Sequence, residues 1–199
     1  MSAAGEKPNK ENIKDMWVVL KDYGFTVYCI DQPEYVVQWD KHFKDFSGSI
    51  LEIGAGNGFM ARHIVDNNPV DYTILDIPDN VRRLQSSSES AIANYEQIKF
   101  IPSTDYKKIF KHSYDILISH QCLSETPAYY YSEIWNNLDI KNCFIIDNST
   151  DKKDPDYNEK LKNWVENSFQ STEGTHRNYN VDGYDKKGIM VYIGKGKKT

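Results

Sequence analysis

SILEIGAGNGFMARHI, residues 49–64, is the stretch from which the rest of the chain can be read. Ile50, Leu51 and Ile53 form the short apolar run of a strand buried on both faces, and Glu52 interrupts it just before three closely spaced glycines. Phe59, Met60, Ile64 and Val65 then begin an amphipathic helix whose N-terminus points at the glycine turn. Strand, tight turn and helix follow directly. Gly54, Gly56 and Gly58 let the backbone turn sharply and approach a ligand closely, and Ala55 between them joins them as a candidate cofactor residue. The bland reading of the same residues is a turn that binds nothing.

The spacing separates two nucleotide-type ligands. A dinucleotide fingerprint needs G-x-G-x-x-G, whereas the pattern here is G-x-G-x-G, with Phe59 in the place of the third glycine. Glu52, two positions ahead of Gly54, favours S-adenosylmethionine, because a carboxylate beside the loop can hold the ligand's ammonium or sulfonium group. In this arrangement the chain resembles the class I methyltransferases. The resemblance implies a Rossmann-like α/β fold: a mostly parallel seven-stranded sheet, helices on both faces and a C-terminal antiparallel hairpin.

The 199 residues suffice for one domain with a proper core. A net charge of −5 argues against a nucleic-acid partner, since phosphate binding calls for a clustered basic face. Cys29, Cys122 and Cys143 show neither C-x-x-C spacing nor an even count, so no zinc site or disulfide framework is signalled. The polar N-terminus has no apolar core of a signal peptide, and no run has the length of a membrane span. These features predict a cytoplasmic protein with no resident metal.

Residues 1–12 read as a disordered leader and residues 13–47 as two helices, 13–23 and 34–46, ahead of the binding domain at 48–199. Beyond the glycine helix, residues 72–77 form a second strand ending in Asp76 and Ile77. Asp76 lies 22 positions after Gly54, where an open α/β sheet places a carboxylate for ribose hydroxyls. Val81 to Tyr95 reads as the next helix, and a third strand leads into Ser103, Thr104 and Asp105, which border the adenine in the class I fold. Asp105 is equally placed to cap a short helix.

The fourth strand, YDILIS, delivers Ser119, His120, Gln121, Ser124 and Glu125 to its C-terminal end, and the fifth, NCFIIDN, adds Asp147. In a parallel sheet that rim carries the ligand. Ser119 and His120 therefore join the candidate cofactor residues, while His120, Glu125 and Asp147 are the candidate catalytic ones. His120 suits a general base because an unperturbed imidazole titrates near neutrality. Glu125 could orient it or hold hydroxyls, and Asp147 or His176 could share either task. The bland alternative for His120 is a side chain satisfied at a strand end. A helix over 157–169 and a hairpin from 176–181 and 188–194 complete the chain.

The strings ILEIGAGNG, TILDIP, SHQCLSE and NCFIIDN together resemble the sugar O-methyltransferases of bacterial polysaccharide biosynthesis. That resemblance implies a sugar or glycan hydroxyl as acceptor. Fewer than fifty residues precede the glycine strand, fewer than such relatives carry. Two readings follow: a small or exposed acceptor, or a site completed by a partner subunit such as a second copy of this chain.

Overall fold

The structure is a computed structural model that describes residues 32–86, 90–93, 95–120, 122–123, 126–148, 163–171 and 189–197. The leader and the first helix expected from the sequence lie outside them. The chain divides into two compact units, Met1–Lys44 and Asp45–Thr199. In the first, helix α1 (Gln32–Phe43) stacks Trp39 on Phe43 with ring centroids 4.8 Å apart. It ends three residues short of the expected Phe46.

The second unit is built on one seven-stranded sheet. In chain order its elements are β1 (Gly48–Ile53), α2 (Phe59–Asn67), β2 (Val70–Asp76), α3 (Pro78–Ser86), β3 (Ile98–Pro102) and a 3-10 segment (Ser103–Lys111). Then come β4 (Tyr114–His120), α4 (Ala128–Asn137), β5 (Ile140–Asn148), β6 (Phe169–Ser171) and β7 (Ile189–Gly196). The strand order is β3-β2-β1-β4-β5-β7-β6. The first five strands pair in parallel, and β7 runs antiparallel between β5 and β6.

Register divides the side chains between the two faces, because paired residues of parallel strands point the same way. Glu52 pairs with Ile74 and Ile118, and Ile53 pairs with Leu75 and Ser119. On the second of these faces Leu51, Ile53, Leu75, Leu117 and Ile145 form one core with Ile109, Ile134, Leu138, Val165 and Phe169. That face is thus covered by the 3-10 segment, α4 and the helical residues 163–168. Right-handed crossovers put α2 and α3, which carry the chain from β1 through β2 to β3, on the other face. They bury Phe59, Met60, Ala61 and Ile64 from α2, and Val81 and Leu84 from α3.

Other boundaries also differ from the sequence reading. The helix expected to run to Tyr95 stops at Ser86, just ahead of further serines that favour turns over helix interiors. Phe169 opens β6 rather than closing a helix, and packs its ring 4.5 Å from Trp135. The antiparallel partner of β7 on its outer side is therefore Phe169–Ser171, while the expected strand at 176–181 lies outside the described residues.

Candidate functional site

Strand order reverses between β1 and β4: the chain moves outward from β1 to β3, then returns to β4 on the other side of β1. In open parallel sheets, the rim beyond the C-terminal ends of two strands flanking such a reversal is where a ligand-binding crevice forms. The glycine loop occupies one lip of it. Gly54, Gly56 and Gly58 all have positive φ, at 77°, 56° and 81°.

Two of these glycines serve different ends. A side chain on Gly54 would collide with Sγ and Cβ of Cys122, so the loop after β4 packs directly on the loop after β1. A side chain on Gly56 would meet nothing within 4 Å. Its left-handed backbone faces open space, the property expected where a ligand approaches the main chain.

Asp76 ends β2 and ties the loop in place. Its Oδ2 accepts the Ala55 N–H at 2.9 Å and the Asn80 side-chain amide at 2.5 Å, and its Oδ1 accepts the Ile77 N–H at 2.7 Å. Asn80 also donates to the Gly56 carbonyl at 3.0 Å, and Arg83 donates to the same carbonyl at 2.5 Å. The sequence reading missed Asn80 and Arg83. Ile77, beside Asp76, is 60 % exposed, one of two large apolar side chains so exposed among the described residues. The second is Tyr129 at the start of α4.

Glu52 is buried rather than open to the loop. It is 1 % exposed, and its Oε2 accepts the hydroxyl hydrogen of the fully buried Tyr72 at 3.0 Å. Burial pushes its pKa up to about 8, with the Asp76 charge adding to the rise and the Tyr72 hydrogen bond opposing it. Near neutral pH this carboxyl is mostly protonated. An acid in the middle of an apolar strand signals such burial once a tyrosine is found on the adjacent strand.

At the end of β3, Ser103 opens the 3-10 segment and its carbonyl accepts from the Tyr130 hydroxyl at 3.3 Å, which ties α4 to this rim. Thr104 is exposed, and Asp105 pairs with Lys108 at 2.5 Å rather than capping the segment. At the end of β4, Ser119 is fully buried with its hydroxyl unpartnered among the described residues. His120 is the last residue of β4 and pairs with Ile146. Burial lowers its pKa to about 4, well below the value that first suggested a base. Asp147 lies one position beyond that pair, opposite Met190. Glu125 and His176 lie outside the described residues. Gly54, Ala55, Gly56, Gly58, Asp76 and Ile77 thus converge on one lip of the crevice, with His120 on the neighbouring strand end.

A parallel sheet ordered 3-2-1-4-5 with an antiparallel 7-6 pair, a glycine loop after β1 and a carboxylate after β2 decide the architecture. The fold is that of the class I S-adenosylmethionine-dependent methyltransferases. Residues 37–127 match the family model described as "Methyltransferase small domain". The chain is similar to M. capricolum TrmK, solved with S-adenosylhomocysteine, with a TM-score of 0.53 at 20 % identity over 82 % of this chain and 67 % of that one. It is 33 % identical over 78 residues to chavicol O-methyltransferase of Ocimum basilicum, covering 38 % of this chain and 22 % of the relative. It is 28 % identical over 94 residues to tRNA (guanine-N(7)-)-methyltransferase of Clostridium beijerinckii, covering 44 % and 43 %. The chain thus spans less than half the length of either curated relative. One of these is named for methylation of tRNA, so net charge alone does not exclude a nucleic-acid acceptor for this fold. No helix among the described residues is long and apolar enough to cross a membrane.

Proposed function

We propose that this chain binds S-adenosylmethionine and catalyses transfer of its methyl group to a hydroxyl of a small molecule, a sugar hydroxyl being the acceptor that the sequence resemblance favours. One observation carries the reading: Gly56 faces open space at the rim and is tied through the Asn80 amide to the Asp76 carboxylate, beside an exposed Ile77. Those residues fit the cofactor. Asp76 retains capacity to accept from a ribose hydroxyl, Ile77 offers an apolar surface to a purine, and Ser103, Thr104 and Asp105 stand one strand further out for its edge. At Gly56 the main chain can come close to the ligand. Bound there, S-adenosylmethionine supplies a methyl group already activated on a cationic sulfur, which leaves the protein chiefly an alignment task.

A hydroxyl acceptor adds the removal of a proton. His120 is neutral across the physiological range because burial disfavours its cation. It can therefore accept a hydrogen bond from the acceptor's hydroxyl and align the oxygen. Its weak basicity suits a late proton transfer, since a hydroxyl gaining a methyl group becomes strongly acidic as the bond forms. Glu125 and Asp147 are the groups assigned to orient the imidazole or hold neighbouring hydroxyls.

Isothermal titration with S-adenosylhomocysteine, on wild type and Asp76→Asn, tests the cofactor. Binding by wild type that weakens at least tenfold in the variant is expected, and no binding by wild type overturns the reading. Methyl transfer to nucleotide sugars, phenols and tRNA, with and without His120→Ala, then tests the acceptor. A tRNA acceptor is the second reading, favoured by the match to the guanine-N7 enzyme. Guanine N7 carries no proton to lose, so in that case His120→Ala would leave transfer unimpaired.

A further inference from the structure

Three side chains, Asp76 at the end of β2 and Asn80 and Arg83 on α3, form a hydrogen-bonded relay beside the glycine loop. Arg83 donates from Nε at 3.0 Å and from Nη2 at 2.5 Å to the Asn80 Oδ1. A guanidinium can only donate, so it fixes which end of the Asn80 amide turns toward it. The amide NH2 is thereby committed to the other side. There it donates to the Asp76 Oδ2 at 2.5 Å and to the Gly56 carbonyl at 3.0 Å.

The consequence falls on the carboxylate. Oδ2 already receives Ala55 N–H and the Asn80 amide, which occupies both of its lone pairs. Oδ1 receives only the Ile77 N–H among the described hydrogen bonds and keeps one acceptor site. Without the Asn80 amide the carboxylate plane is free to tilt about its last bond, which swings the open acceptor site of Oδ1 off its direction. We propose that Asn80, oriented by Arg83, is a positioning residue: it fixes the plane of the Asp76 carboxylate so that its open acceptor site faces the cofactor's ribose, and it holds the Gly56 carbonyl clear of the ligand's path. This rests on the cofactor reading above and adds to it the residues that set ribose recognition.

A structural role and a positioning role for Asn80 make different predictions. If Asn80 only steadies α3, its loss weakens every ligand alike. If it aims Asp76, its loss weakens ligands only as far as they carry the ribose hydroxyl that Asp76 receives. The experiment titrates S-adenosylhomocysteine and its 2′-deoxy and 3′-deoxy analogues into wild type, Asn80→Ala, Asn80→Asp and Arg83→Ala, with urea unfolding of each protein as the stability control. Wild type should prefer the full ribose over at least one deoxy analogue by about tenfold or more, as for a hydrogen bond to a charged group. In Asn80→Ala that preference should fall to about threefold or less, with affinity for the deoxy analogue nearly unchanged. Arg83→Ala should give an intermediate ratio. Asn80→Asp, which keeps the shape but replaces the donor with an oxygen, should behave like the alanine variant and covers the case in which alanine fails to fold.

An unchanged preference in Asn80→Ala or Asn80→Asp overturns the relay while leaving the cofactor reading intact. Failure of wild type to bind S-adenosylhomocysteine overturns both. Binding without any preference for the ribose hydroxyls overturns the relay alone.

Discussion

Glu52→Gln should stabilise the protein by an amount that grows with pH. The carboxyl is buried within the sheet, and its pKa is raised from 4.5 to about 8, chiefly because burial disfavours the charged form. A carboxyl raised in the folded state binds its proton there more tightly than in the unfolded chain. Its favourable contribution is therefore complete below pH 4.5 and is lost as pH rises through 8. Integrating the two titrations, wild type loses about 3 kcal/mol between pH 5 and pH 8 on this account. Glutamine keeps the acceptor for the Tyr72 hydroxyl but carries no proton to lose. Any cost of its extra N–H group is the same at both pH values, as is every other titration in the protein, so the difference between the two proteins isolates Glu52. Equilibrium urea unfolding, followed by the fluorescence of the four tryptophans, measures it. The stability difference, variant minus wild type, should rise by about 3 kcal/mol from pH 5 to pH 8. A difference constant within about 0.5 kcal/mol would show that Glu52 is ionised or solvated in the folded protein, and the burial argument would fail.

The same carboxyl tests the cofactor's placement, since a cationic ligand beside it should drive off its proton. Titration of S-adenosylmethionine at pH 7 in buffers of different ionisation enthalpy should then show release approaching one proton, and zero release would place the cationic centre away from Glu52. Gly56→Ala should cost about 1 kcal/mol of stability for its left-handed backbone, yet abolish cofactor binding, because the space beside it belongs to the ligand. Gly54→Ala should destabilise more, by about 2 kcal/mol or above, through its collision with Cys122; equal effects of the two substitutions on unfolding would contradict this division. For His120, the folded state refuses a proton that the unfolded chain takes up below pH 6.5, so stability is lost as pH falls from there toward 4. If His120 accepts the acceptor's proton, the acid limb of kcat/KM should lie near pH 4, and a limb near 6.5 would exclude it.

What could be read in the sequence and what could not follow from the range of the interactions involved. The glycine loop, the five parallel strands and the carboxylate of Asp76 are written in short apolar runs and fixed spacings, which local sterics enforce whatever packs around them. Burial is different, because it depends on residues brought together by the sheet. Nothing within the strand of Glu52 tells that Tyr72, twenty residues on, closes over it, and nothing beside His120 tells that its imidazole is shielded enough to lose most of its basicity. Phe169 was assigned to a helix on its apolar spacing with Trp164 and Val165, yet an aromatic ring that packs on Trp135 serves equally well from a short edge strand. The relay of Asn80 and Arg83 lies between these cases. Asn80 and Arg83 stand at i and i+3 on one face of α3, whose first turn follows Asp76 by two residues, so polar groups of complementary type there could have been found once Asp76 was suspected. Read separately, Asn80 is an ordinary polar residue in the first turn of a helix and Arg83 an ordinary surface cation. Only their direction, donor to acceptor from Arg83 through Asn80 to Asp76, turns them into a device that sets the plane of the carboxylate. That direction follows from the chemistry of the three side chains, and it can be argued from the sequence as soon as the helix is known to begin at Pro78.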